Sequence, residues 1–100
     1  MKKPEKDVEK YLRSRLRNLG GQCYKWRAID NKGVPDRVCV LPWVGTFFVE
    51  LKRLGGKPTK LQEKVFNDIK DSGGVVFVVQ GMEGVDALID YVDQFRLENL

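Results

Sequence analysis

The chain has 100 residues, of which 42% are hydrophobic and 32% charged, the composition of one globular domain over 1–100 rather than of a disordered chain. No apolar run approaches the about 20 residues of a spanning helix, and the charged start MKKPEKDVEK lacks the apolar stretch of a signal peptide, so no membrane association and a reducing cytoplasm are expected. Charge is divided unevenly: residues 1–60 carry 15 Lys and Arg against 6 Asp and Glu, residues 61–100 carry 3 against 8, and the basic half points to a polyanion on one face or simply to a solvated surface.

In chain order, EKDVEKYLRSRLRNLGG places Val8, Tyr11, Leu12, Leu16 and Leu19 at helical spacing. Pro4 suits its first turn and Gly20-Gly21 its end. Acids near its start and arginines near its end complement the helix dipole. QCYKWRAI reads as a first strand, with Cys23 facing one way and Tyr24 and Trp26 the other. DNKGVP is a loop. DRVCVL and TFFVELK are two further strands joined by PWVG. Cys39, between Val38 and Val40, reads as a small core residue; with no CxxC spacing and no histidine, a zinc site is not expected. KRLGGKP is a basic loop, and Thr59 with Gln62 has the spacing of a capping box for a helix over KLQEKVFNDIKDSG, with Leu61, Val65, Phe66 and Ile69 on one side. GVVFVVQ is a continuous apolar run, expected as a strand buried on both faces. EGVDALIDYVDQF is a last amphipathic helix using Val85, Leu88, Ile89, Val92 and Phe95. The order is α-β-β-β-α-β-α, an α/β fold with a mixed sheet flanked by helices.

Three charges interrupt the central hairpin. If its turn centres on Trp43, Asp36 and Glu50 lie seven residues to either side and face one another across the ladder. Opposed carboxylates repel, and a divalent cation such as Mg²⁺, which prefers carboxylate oxygen, offsets this. A turn shifted by half a residue would instead place Leu51 opposite Asp36. Glu50 and Lys52 share one sheet face by strand period, leaving Phe47, Val49 and Leu51 on the other. Carboxylates that hold a metal beside an ammonium suit phosphodiester hydrolysis; a plain solvent-facing Glu–Lys pair is the alternative. Tyr24, Trp26 and Trp43 either stack on unpaired bases or pack in the core.

Together EKYL…GG, GVPDRVCV, FVELKRLGGKPTKLQ and GVVFVV, spanning roughly residues 5–92 in order, resemble a stand-alone VRR-NUC domain, the virus-type replication and repair nuclease module of the PD-(D/E)xK superfamily. The resemblance implies a restriction-endonuclease-like fold and a Mg²⁺- or Mn²⁺-dependent DNA endonuclease. It implies metal ligation by Asp36, Glu50 and the Leu51 carbonyl, and catalysis by Asp36, Glu50 and Lys52. It further implies a third acid on the first helix, Glu9 with Glu5 as competitor, and a role for Gln62 towards the lysine, the attacking water or DNA. Val65 departs from an aromatic often found there. Gly33 and Pro35 would set the bend that presents Asp36. Lys25, Arg27, Lys32, Arg37, Arg53, Lys57 and Lys60 flank these motifs and are expected to contact DNA phosphates. The implied substrate is branched DNA such as a Holliday junction and the implied assembly a homodimer, possession of two active sites being what paired cuts require; a viral origin fits. A nicking or non-specific restriction-like nuclease, a non-catalytic DNA-binding module and a structural assembly protein are the alternatives.

Overall fold

The computed structural model describes residues 5–98, so Pro4 lies outside the described residues. The elements are α1 (Glu5–Asn18), β1 (Gln22–Lys25), β2 (Arg37–Leu41), β3 (Gly45–Lys52), α2 (Lys60–Asp71), β4 (Val76–Gln80) and α3 (Gly81–Glu98), in the expected α-β-β-β-α-β-α order. They form one four-stranded sheet, ordered β1-β2-β3-β4. The first two pairings are antiparallel and β3 pairs with β4 in parallel, as a hairpin followed by a β-α-β connection requires. This is the restriction-endonuclease-like α/β architecture.

α1 ends on glycines because its last turn needs them. Gly20 has φ +84, a conformation that a side chain would strain. Its N–H bonds to the Arg17 carbonyl and that of Gly21 to the Leu16 carbonyl, so the orphaned end of the helix is satisfied. The chain then turns directly into β1.

One face of the sheet carries the core. Cys39, Leu41, Phe47, Val49 and Leu51 alternate along β2 and β3 and pack under Val8, Leu12 and Leu16 of α1 and Val85, Leu88, Ile89 and Val92 of α3. Cys23 and Cys39 lie directly opposite one another in this layer as free thiols. Their mutual hydrogen bond and burial hold the Cys39 thiol well above its ordinary range. The β2–β3 turn is fastened to α3 by the Trp43 indole, which donates to the Val92 carbonyl at 2.7 Å. α2 lies across the opposite face, the face that carries Phe48, Glu50 and Lys52.

Two expectations need correction. β1 is shorter than QCYKWRAI: its last ladder bond runs from the Trp26 N–H to the Asp36 carbonyl at 2.8 Å, and Ile29 is fully exposed because β2 offers no residue to pair with it. β4 is not buried on both faces. It is an edge strand, and on the side that α2 shares Val76 is buried while Val78 is 41% exposed. Among the described residues no helix is long and apolar enough to cross a membrane.

Candidate functional site

The pairing of β2 with β3 sets the site. Arg37 lies opposite Val49, which carries Asp36 to the place opposite Glu50, one residue beyond the ladder. The turn is therefore centred on Trp43, and the alternative with Leu51 opposite Asp36 is excluded by the register. At this fork the two acids are cross-braced. The Asp36 N–H donates to Glu50 Oε1 and the Leu51 N–H donates to Asp36 Oδ2, each at 3.1 Å.

Glu50 is 1% exposed. A buried carboxylate needs donors, and it has them: Lys52 Nζ and Gln62 Nε2 both stand 3.0 Å from its Oε2. Gln62 also accepts from Lys52 Nζ at 3.0 Å. Burial nevertheless raises the Glu50 pKa above the ordinary carboxylate value, with the Asp36 charge adding to the rise and Lys52 opposing it. Burial and a like charge on a carboxylate in a fork are the conditions that favour a bound cation.

Gln62 reaches this cluster because α2 starts beside it. Thr59 caps the helix, its Oγ1 accepting from the Gln62 N–H at 3.1 Å, while the Thr59 N–H donates to Gln62 Oε1 at 2.9 Å. The capping box and the contact with Lys52 thus use the same side chain. The first turn of α2 comes this close because Gly33, just before Asp36, lies against it. A Cβ on Gly33 would stand 2.7 Å from a Val65 methyl and 3.0 Å from Leu61. Gly33 is needed here for lack of bulk; its φ is not positive.

Asp36, Glu50, Lys52 and Gln62 are therefore brought together, with the Leu51 peptide beside them. Glu9 is not. It belongs to the α1 layer, where its Oε2 lies 3.2 Å from Arg37 Nη2. Glu5 is exposed in the first turn of the same helix. Among the described residues no three acids, cysteines or histidines are grouped to hold one ion. Arg37 departs from the expected phosphate-contacting set: it is 6% exposed, on the core side of β2, and its Nε has no hydrogen-bond partner. Strand alternation puts it on the face opposite Asp36, and Glu9 meets it there. Lys25, Arg27, Lys32, Arg53, Lys57 and Lys60 are exposed.

One residue near the site carried no sequence signal beyond being a polar end to an apolar run. Gln80 Nε2 donates to the Gly56 carbonyl at 2.8 Å and fastens the basic loop 53–59 to the end of β4.

The donors present suit a hard divalent cation. Two carboxylates beside the Leu51 peptide offer oxygen donors, and histidine is absent from the chain.

A solved structure of a VRR_NUC domain superposes with a TM-score of 0.80 at 35% sequence identity, covering 86% of this chain and 94% of that one. Over 58 residues the chain is also 45% identical to a protein of Acyrthosiphon pisum secondary endosymbiont phage 1 that bears the provisional name nuclease p44. That match covers 58% of this chain and 62% of the phage protein, so the chain spans less than two thirds of that relative. No family model matches the chain.

Proposed function

The chain belongs to the VRR-NUC domain family, and from that footing we propose that it is a metal-dependent DNA endonuclease that hydrolyses phosphodiester bonds in branched DNA such as a Holliday junction. The observation that carries this reading is the bonded cluster of Asp36, Glu50, Lys52 and Gln62 at the open fork of β2 and β3. The phage relative's name points the same way.

Asp36, Glu50 and the Leu51 carbonyl would hold Mg²⁺ or Mn²⁺. Glu9, which meets Arg37 on the opposite face of the sheet, would have to leave it and reach the end of the strands to add a third carboxylate. When bound, such an ion neutralises phosphoryl oxygens and acidifies water. The protein's own groups do the rest. Lys52, fixed between Glu50 and Gln62, orients the attacking water and stabilises the charge that develops on phosphorus-bound oxygen. Attack in line leaves a 5′-phosphate. Gln62 prevents the ammonium from swinging into solvent. Lys25, Arg27, Lys32, Arg53, Lys57 and Lys60 contact the DNA backbone, giving affinity without base reading. Arg37, being internal, is not among them. One site cuts one strand, so paired cuts at a junction call for a homodimer.

The test is a metal titration with a labelled four-way junction and a linear duplex at equal concentrations, using wild type and Lys52→Ala. Metal-dependent incision of the junction in preference to the duplex, lost in the variant, is expected. Equal DNA binding by wild type and Asp36→Asn, with no incision by either even in Mn²⁺, would mean a binding module instead.

A further inference from the structure

The sheet face that holds the acids continues outwards onto an uncovered aromatic surface. Trp26 is bonded through its N–H to the Asp36 carbonyl, so the two are cross-strand neighbours and their side chains share a face. The next row along that face is Tyr24, Val38 and Phe48. Trp26 leans on Phe48, with ring centroids 5.3 Å apart. Tyr24 is 58% exposed, and no hydrogen bond or ring contact holds it among the described residues. Val40, one step further on, is 38% exposed. α2 packs towards β4 and leaves the β1–β2 half of this face bare.

We infer that Tyr24, beside Trp26 on this face, is a stacking shelf for an unpaired base near the scissile phosphate, so that branched DNA with an unpaired nucleotide at its branch point gains a contact that a continuous duplex lacks. This rests on the nuclease reading for its function, though not for its geometry. Bases within a continuous duplex have both faces covered by their neighbours, so only an unpaired base can lie on the ring. β1 and β3 are two strand spacings apart, about 10 Å, which puts the shelf one or two nucleotides from a phosphate held at Asp36 and Glu50. The charge also fits nucleic acid. Along the same segment Lys25 and Arg27 alternate with the two aromatics, and both are exposed. Strand alternation turns these cations to the other side of the edge strand β1, where a phosphate backbone passing the edge would meet them while its base lies on the ring.

The test uses a forked DNA with 2-aminopurine as the first unpaired base and a continuous duplex of the same length, both in EDTA so that nothing is cut. Wild type and Tyr24→Phe should quench the fluorophore on binding, and Tyr24→Ala should not. Tyr24→Ala should weaken binding to the fork by about tenfold and leave binding to the duplex unchanged. The shelf is overturned if Tyr24→Ala quenches as well as wild type or loses fork and duplex affinity equally. It is also overturned if the substitution alters the sedimenting mass, which would mean that another copy covers this face. Quenching without any cleavage in Mg²⁺ or Mn²⁺ would support the shelf and refute the nuclease reading, so the two stand or fall separately.

Discussion

Asp36→Asn should stabilise the cation-free protein while removing its response to metal. Cross-strand side chains in this arrangement lie about 5 Å apart, and two unit charges at that distance repel by about 3 kcal/mol at an effective dielectric of about 20. Lys52, 3.0 Å from Glu50, offsets part of this, and the partial exposure of Asp36 lets solvent screen more. A net relief of about 1 kcal/mol remains. Asparagine keeps an oxygen for the Leu51 N–H, so no hydrogen bond is lost. The melting temperature in EDTA should rise by about 4–8 °C for a domain of this size. Wild type should gain about 2.7 kcal/mol with Mg²⁺ at one hundred times its Kd, and the variant should gain almost nothing. The sign with pH follows from Glu50. Its folded pKa is raised above the ordinary 4.5, so the penalty of its charge is present at neutral pH. That penalty fades as the pH falls through the raised value and is gone below the ordinary one. The advantage of Asp36→Asn should therefore shrink on acidification. A variant less stable than wild type in EDTA at pH 7, or an advantage that grows towards pH 4.5, would refute the argument that these acids are held together against repulsion.

Four further outcomes follow from the same geometry. Gln62→Ala should cost about 1–2 kcal/mol through the lost cap and also lower kcat by freeing Lys52. Thr59→Ala should cost about 1 kcal/mol with kcat nearly unchanged well below the melting temperature, where the first turn of α2 stays formed and the Gln62–Lys52 bond survives; denaturant melts alongside single-turnover cleavage separate the two. Gly33→Ala forces a methyl to within 2.7 Å of Val65 and should destabilise by about 1–3 kcal/mol while displacing Asp36; a neutral result in a melt would show that α2 yields freely. Cation affinity, measured by calorimetry, should begin to fall on acidification at a pH above the ordinary carboxylate range, since Glu50 must ionise to bind; affinity that holds level down to pH 4.5 would exclude Glu50 as a ligand.

Much of this was legible in the chain because strand alternation is strict. The opposition of Asp36 to Glu50 needed only the turn at Trp43, and the face shared by Glu50 and Lys52 needed only period two. The same rule assigns Arg37 to the core side with Cys39 and Leu41, so its separation from the exposed basic residues follows from its face, which cation type alone does not reveal. The pairing of Glu9 with Arg37 was not legible, since it depends on how α1 sits over the sheet, and helical periodicity fixes a stripe without fixing its height along β2. The exposure of Val78 was hidden for a similar reason. A run of apolar residues shows that a strand is mostly covered, and which side a helix leaves open is decided by tertiary packing. The capping box was readable from Thr59 and Gln62, yet its contact with Lys52 was not, because it follows from the close approach that Gly33 permits.

That close approach ties two fates together. The side chain that starts α2 is also the one that restrains the ammonium, so fraying of that first turn would silence the reaction well before the remainder of the molecule melts. Warming should then produce an inactive yet folded form over some interval, and substitutions that only strengthen the N-terminal turn of α2 should extend the working temperature range without touching the acids at all.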